Sequence, residues 1–124
     1  LMGVGMPADI VYAVSCGIDL FDCVIPTRSA RHGLLFTNSE KIVIKNARWR
    51  EDDHPLEETC DSSPCKNYSG GFLRPFYVAG EILVIILIPF HNIRHYMHLM
   101  EKIRTAISEN RFSEFKKDFL NKMR

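Results

Sequence analysis

Residues 17–33 read GIDLFDCVIPTRSARHG, an apolar run with an acid near its end and a proline directly after it. The apolar residues between Ile18 and Ile25 predict a strand that is buried on both faces, as in parallel sheets. Pro26 is expected to end this strand, and a basic loop follows it. The stretch therefore predicts an α/β fold in which Asp22 lies near a strand end.

Two interpretations of Asp22 are open at this point. In the first, neighbouring backbone amides satisfy the carboxylate, as they satisfy most buried polar groups. In the second, the acid is a nucleophile or a general base, because barrels place catalytic groups where strands end and loops begin. The pattern of residues alone does not choose between them.

The composition indicates one small domain. The chain has 124 residues, of which 46% are hydrophobic, and a net charge of +1, which argues against nucleic-acid binding by bulk electrostatics. Four cysteines without a recognisable secretory signal favour a reducing compartment, so we expect a cytoplasmic protein. The apolar run 82–90 is shorter than the roughly 20 residues of a bilayer span. Because the chain starts at Leu1 and not at a methionine, we also expect a piece of a larger protein.

The segment before Asp22 predicts a strand, a helix and a second strand. Residues 1–6 are a short apolar run, a helical pattern starts at Asp9, and Gly17 is expected to cap that helix. Such a unit makes a parallel pair with a crossover helix, and two strands alone do not form a stable sheet. We therefore expect that the rest of the sheet is missing from this chain.

Several motifs along the chain are similar to those of the tRNA-guanine transglycosylases. The active-site stretch FDCVIPTRSARHG, residues 21–33, is followed by LFT at residues 35–37. LMGVGMPADIVYAVSCGID precedes it, and CDSSPCKNYS, EIL and HNI follow in unbroken order. This family exchanges guanine for a deazaguanine base, queuine or its precursor, at the wobble position of certain tRNA anticodons. The resemblance implies a pentosyltransferase that acts on tRNA.

The resemblance also implies an architecture. It predicts the C-terminal part of a (β/α)₈ barrel, with an inserted zinc-binding subdomain and C-terminal helices. Residues 1–36 would be the last strand–helix–strand part with the catalytic loop, 37–95 the hairpin and zinc subdomain, and 96–124 the C-terminal helices. We expect a homodimer or a complementing chain of the family, and we expect the 124-residue chain alone to be incomplete and inactive.

By the same resemblance, Asp22 is the covalent nucleophile, and Met2 and Gly3 line the pocket for the base. A methionine packed in the core is the other interpretation of Met2. Arg28 and Arg31 would contact the anticodon loop, because guanidinium groups suit phosphates and base edges. Two solvated loop arginines are the alternative.

The metal ligands of the family follow a C-x-C-x-x-C pattern with a later histidine. Cys60, Cys65 and His91 match three of these four positions, and Ser62 stands at the remaining one. A serine hydroxyl is a poor zinc ligand beside a thiolate, so the predicted site is incomplete. From the residues alone, separate buried thiols and a histidine at a helix end are an equally good interpretation.

The remaining pattern predicts a hairpin and helices. Residues 34–37 and 41–46 form the hairpin, and a helix over 72–87 is interrupted by Pro75 and Gly80. An apolar stripe that includes Tyr96, Ile103 and Ile107 predicts a C-terminal helix, which Asn110 ends.

Two other functions compete with the enzymatic one. The chain can be a non-catalytic partner subunit, or a degenerate tRNA-binding remnant of the same family, as Ser62 and Pro75 would favour. It can also be a small zinc-stabilised module unrelated to tRNA, in which case the order of the motifs is a coincidence.

Overall fold

Helices account for most of the chain, which the computed structural model describes for residues 1–123. In chain order the elements are α1 Pro7–Ser15, α2 Ile25–Arg31, β1 Leu34–Phe36, β2 Lys41–Val43, a 3₁₀ turn Ala47–Trp49, α3 Ser63–Asn67, α4 Gly70–Val78, α5 Ile82–Ser108 and α6 Phe112–Lys122. They form two units. The first comprises Leu1–Ile25 and the chain from Tyr96 onward, and the second comprises Pro26–His95.

Helix α1 begins at Pro7, two residues before the predicted start. Proline suits this position because its ring fixes a helical φ and no amide hydrogen is needed there. Cys16 caps the carboxyl end, and Gly17 follows with a φ of 89°, which glycine adopts without strain. The predicted helix is confirmed. Its capping residue is Cys16, and the predicted cap, Gly17, is the residue after it.

The predicted buried strand between Ile18 and Ile25 is wrong. Within residues 1–123 this stretch makes a single parallel bridge, between Met2 and Asp22. Leu20 and Val24 are 79% and 61% exposed, because the described chain supplies no further strand to cover them. The bridge with its crossover helix α1 fits the expected strand–helix–strand unit, but a (β/α)₈ barrel is not seen in the described residues.

The basic segment after Asp22 is a helix, and the predicted loop is wrong. Helix α2 starts at Ile25, so Pro26 lies in its first turn. Proline there costs no hydrogen bond, and it therefore starts a helix as readily as it ends a strand. Arg28 and Arg31 lie on this helix.

The buried side of the first unit is formed by α1 and the carboxyl-terminal part of α5. Its buried residues are Ile10, Val11, Ala13, Tyr96, Leu99, Ile103 and Ala106. Most of the predicted stripe on α5 is confirmed, but Ile107 is 49% exposed. Asn110 has a φ of 54° between α5 and α6, which confirms the predicted break.

The second unit contains the predicted hairpin. Strands β1 and β2 pair antiparallel, with Leu35 opposite Ile42, and both side chains are buried. The core around them consists of Ala30, Ile44, Trp49, Leu56, Cys60, Cys65, Leu73, Tyr77, Val84 and Ile88. The cysteines of the candidate metal site therefore lie in the main hydrophobic core of this unit.

The predicted helix over 72–87 is two helices. Helix α4 ends at Val78, Gly80 adopts a φ of 76°, and α5 begins at Ile82. Pro75 lies inside α4, so the helix does not start there. The left-handed conformation of Gly80 ends the helix, and glycine is favoured at such a position because other residues are strained there.

Helix α5 is much longer than the apolar run 82–90 that begins it. It has 27 residues, and an 18-residue window has a mean hydropathy of 1.2, with 39% of the window buried. By length and composition alone α5 is long and apolar enough to cross a membrane, although the apolar run 82–90 within it is as short as predicted. A core helix of a soluble protein meets the same criteria, and this finding is therefore weak evidence for a membrane span.

Candidate metal centre

Three side chains with metal-ligating atoms meet in the second unit, and we call Cys60, Cys65 and His91 the metal cluster. Cys60 lies before α3, where its amide donates to the carbonyl of Glu57 at 3.2 Å, and Cys65 lies within α3. His91 lies on α5. The structure brings the three together, so the alternative of separate buried thiols is wrong.

The distances within the metal cluster are short enough for one ion. Nδ1 of His91 lies 3.2 Å from Sγ of Cys65 and 3.5 Å from Sγ of Cys60. All three ligand atoms lie within 4.8 Å of one another. His91 is fully buried and the cysteines are 9% and 7% exposed, so water competes little for the site. The cluster can therefore hold a metal ion.

The ring of His91 is oriented by a second hydrogen bond. Nε2 lies 2.8 Å from the carbonyl oxygen of Phe36, an acceptor only, so Nε2 carries the hydrogen. In the neutral ring, Nδ1 is then the unprotonated nitrogen, and it faces the sulfurs. Metal-binding histidines are commonly oriented in this way by a backbone carbonyl.

Ser62 completes the surroundings of the metal cluster. Its backbone caps the amino end of α3, but its side chain makes no capping hydrogen bond. Oγ lies instead 3.0 Å from Sγ of Cys60, and the residue is 6% exposed. A serine at this helix position usually bonds to a backbone amide. Its hydroxyl is therefore turned towards the cluster, where the fourth ligand was predicted.

The two thiols shift each other's pKa in opposite directions. The Cys65 thiol, hydrogen bonded to Cys60, lowers the pKa of Cys60 against the effect of burial, and His91 and Ser62 lower it further. The same contact with Cys60, together with burial, raises the pKa of Cys65. Burial lowers the pKa of His91, but the hydrogen bond and charge of Cys60, together with the Phe36 carbonyl and the charge of Glu57, outweigh it and raise that pKa. A bound metal cation would displace the protons of the cysteine thiols, because metal ligands bind in their deprotonated form.

Sequence reasoning missed Asn92, the residue after His91. Its side chain is fully buried and accepts a hydrogen bond from the amide of Phe36 at 3.0 Å. It also donates to the carbonyls of Pro26 and Leu34 at 2.9 and 3.0 Å. The one signal in the sequence was a polar residue next to a predicted ligand in the HNI motif.

The predicted base pocket and nucleophile come together in the first unit. The amide of Asp22 donates to the carbonyl of Leu1 at 3.1 Å, and the amide of Gly3 donates to the carbonyl of Asp22 at 2.8 Å. Met2 is opposite Asp22 and 80% exposed. Asp22 is exposed too.

The two predicted tRNA-binding arginines lie on α2 in the second unit. Both are exposed, and their spacing of three residues places them on one face of the helix. The hydroxyl of Tyr77 donates to the backbone carbonyl of Arg31 at 2.7 Å, which holds the end of α2.

Comparisons with known proteins agree with this set of features. The family model described as queuine tRNA-ribosyltransferase matches residues 1–124. The queuine tRNA-ribosyltransferase of Aquifex aeolicus is 46% identical over 124 residues, which is all of this chain and 33% of that protein. That of Thermodesulfovibrio yellowstonii is 52% identical over 120 residues, 97% of this chain and 31% of that protein.

A third relative, the queuine tRNA-ribosyltransferase of Caldanaerobacter subterraneus, is 49% identical over 122 residues, 98% of this chain and 32% of that protein. The chain thus spans about a third of the length of these relatives. Since the family model covers the whole chain, the protein belongs to the queuine tRNA-ribosyltransferase family.

Proposed function

We propose that this chain is part of an enzyme that exchanges guanine for a deazaguanine base, queuine or its precursor, at the wobble position of tRNA. The observation that carries the proposal is the family match, which covers residues 1–124 and so includes the acid and both arginines. The relatives bear the name of this activity, and the chain corresponds to a third of their length.

In the proposed reaction, a carboxylate oxygen of Asp22 attacks C1′ of the wobble ribose while the glycosidic bond to guanine breaks. Guanine leaves with the bonding electron pair and takes up a proton. A deazaguanine base then loses a proton and attacks C1′, which releases the carboxylate. Two substitutions replace one difficult step, and no phosphodiester bond is broken.

The local structure of Asp22 supports its role as nucleophile. Hydrogen bonds on both sides of the residue fix its backbone, and its side chain remains exposed. A fixed and accessible carboxylate suits a displacement that depends on alignment. Gly3 has open space where a side chain would stand, and Met2 is exposed beside it, so both are available to a base.

Arg28 and Arg31 are proposed to bind the anticodon loop. Each guanidinium presents a planar set of donors that fits phosphates and base edges, and the two share an exposed face of α2. Because the net charge of the chain is only +1, a local pair of arginines accounts for RNA binding better than bulk charge does.

We propose that the metal cluster holds a structural zinc ion. Two thiolates and an imidazole prefer zinc among common biological metals, and the place of the cysteines in the hydrophobic core of the second unit suits a structural role. We place the enzyme in the cytoplasm, and we propose that a second copy or another chain of the family completes it.

The test is a chimera in which this chain replaces the matching third of the Aquifex aeolicus relative. With unmodified tRNA, a denaturing gel should show a covalent protein–RNA adduct that Asp22→Asn abolishes. Asp19→Asn, at an exposed acid three residues earlier, is the matched control and should keep the adduct. An adduct that survives Asp22→Asn would assign the chemistry to another residue.

A non-catalytic partner subunit is the second candidate, and Ser62 beside the metal cluster favours it. A subunit that has lost selection for tight zinc binding tolerates a hydroxyl at this place. In that case Asp22→Asn leaves base exchange unchanged whenever an intact second chain is present. The same gel and exchange assay therefore separate the two candidates.

A further inference from the structure

Strand β1 has an outer edge that no third strand covers in the described chain. Towards β2, the carbonyl of Gly33 accepts from the amide of Ile44 at 2.9 Å, and the amide of Thr37 donates to Glu40 at 3.1 Å. Alternate residues of an antiparallel strand face its partner, so the backbone groups of Leu34 and Phe36 face outwards. Side chains of α5 bond both groups of Phe36 and the carbonyl of Leu34.

Two consecutive residues of α5 take the place of a third strand. His91 binds the carbonyl of Phe36, and Asn92 binds the amide of Phe36 and the carbonyl of Leu34. The second amide hydrogen of Asn92 reaches the carbonyl of Pro26, in the first turn of α2. Asn92 makes three of its four available hydrogen bonds and is fully buried.

We propose that Asn92 is a positioning residue that couples the metal cluster to helix α2. An ion bound at the cluster then holds in place the helix that carries the two arginines. The significance of those arginines rests on the proposed exchange of bases in tRNA, whereas the coupling between the ion and α2 rests only on metal binding at the cluster.

The coupling follows a continuous set of bonds within the second unit. An ion at the cluster would bind Nδ1 of His91. Nε2 of the same ring is hydrogen bonded to the carbonyl of Phe36. The amide of Phe36 donates a hydrogen bond to Oδ1 of Asn92, and Nδ2 of Asn92 donates one to the carbonyl of Pro26. Because the two α5 side chains are consecutive on one helix, displacement of His91 also displaces Asn92. Buried polar networks of this kind are rigid when every member is satisfied.

Helix α2 depends on such external bonds. It has seven residues, of which Ala30 is the one that is buried. A helix this short is marginal without tertiary support. Asn92 holds its first turn through Pro26, and Tyr77 holds its last residue through the carbonyl of Arg31. The first of these supports is linked to the metal cluster, and the second is not.

Hydrogen exchange on the 124-residue chain, with and without zinc, tests the coupling. In the wild-type chain, zinc should slow exchange at residues 29–33 by about tenfold, a typical size for coupling between two sites. Helix α4 lies in the same unit without a bond to Asn92 and serves as the internal reference. Equal effects of zinc on α2 and α4, no effect on α2, or no zinc binding would each overturn the proposal.

Two variants locate the coupling. Asn92→Asp keeps the volume and the acceptor for Phe36 but turns an oxygen towards Pro26, so α2 should exchange quickly with or without zinc. Tyr77→Phe frees the other end of α2, so exchange should be faster while its zinc dependence remains. Asn121→Asp, the same change at an exposed site on α6, should behave as wild type. Zinc dependence that persists in Asn92→Asp would contradict the role of this residue.

Coupling is reciprocal, so the same variant makes a second prediction. Asn92→Asp should weaken zinc binding by no more than the factor by which zinc slows α2 in the wild type. Competition with a chromophoric chelator measures this affinity. Neither readout uses tRNA or base exchange, so failure of the coupling is distinguishable from failure of the proposed activity.

Discussion

Ser62 stands beside the sulfur of Cys60, where a third thiolate would complete a four-coordinate site. A neutral hydroxyl gives the ion one anionic ligand fewer than a thiolate would. The loss is local, because His91 remains oriented by the carbonyl of Phe36. We therefore expect a geometrically prepared site with reduced affinity.

Ser62→Cys should tighten zinc binding by at least about tenfold, because the new thiolate adds charge at a prepared position. Chelator competition at neutral pH measures the change. Ser63→Cys adds an exposed thiol one residue away and should leave the affinity unchanged. Stoichiometric zinc that survives mild chelation equally in wild type and Ser62→Cys would show that the hydroxyl suffices.

The arginines of α2 make a separate prediction in the complete chimera. Arg28→Ala and Arg31→Ala should weaken tRNA binding and each lower the slope of affinity against salt by about one, as for a lost phosphate contact. The Asp22 adduct should still form at saturating tRNA. Arg104→Ala, an exposed arginine on α5, is the control. Unchanged binding across salt concentrations would mean that both side chains are solvated only.

At the level of elements, local signals predicted what depends on local contacts. The hairpin was correct because Lys41–Val43 alternate exposed and buried positions, and α1 was correct because its apolar face and its flanking Pro7 and Gly17 are close in sequence. The prediction of a buried strand before Pro26 was wrong, because an apolar run forms a buried strand only where neighbouring strands or helices cover it. The candidate metal ligands followed from the resemblance to the family's motif and not from the residues alone. Asn92 followed from neither, since its partners lie 56 to 66 residues away.

Pro75 inside α4 makes a prediction about stability. Proline at this position removes the bond to the carbonyl of Gly71, so Pro75→Ala should raise the free energy of unfolding by about 1–2 kcal/mol. The residue is exposed, so little packing is lost. Pro7→Ala, at the first position of α1, should give no such gain. Urea unfolding measures both, and a Pro75→Ala variant that is less stable would show that the proline ring stabilises α4.

For the whole molecule, the exposed surface around Asp22 bears on activity. Met2, Leu20 and Val24 are 80%, 79% and 61% exposed beside the parallel bridge. Apolar groups at an open strand edge commonly pack against further chain. The relatives contain about three times the length of this chain.

The 124-residue chain alone should therefore not exchange bases in tRNA. A barrel enzyme builds its site from several strand ends, and positioning supplies about 7–11 kcal/mol of the lowered barrier. The measurement is incorporation of labelled guanine into unmodified tRNA, with the chimera as positive control. Turnover or a covalent adduct from the chain alone would show that it contains a complete site.

The bonds from α5 to the edge of β1 also set the time for which that edge stays open during synthesis. The carbonyl of Phe36 is bonded by His91, which is synthesised 55 residues later. At about 5–20 residues per second, a ribosome needs about 3–11 s for that length. During this time the hairpin can form but its outer edge is unpaired, and an unpaired edge accepts strands from other chains. The nascent hairpin is thus open to pairing with other chains until α5 has been made.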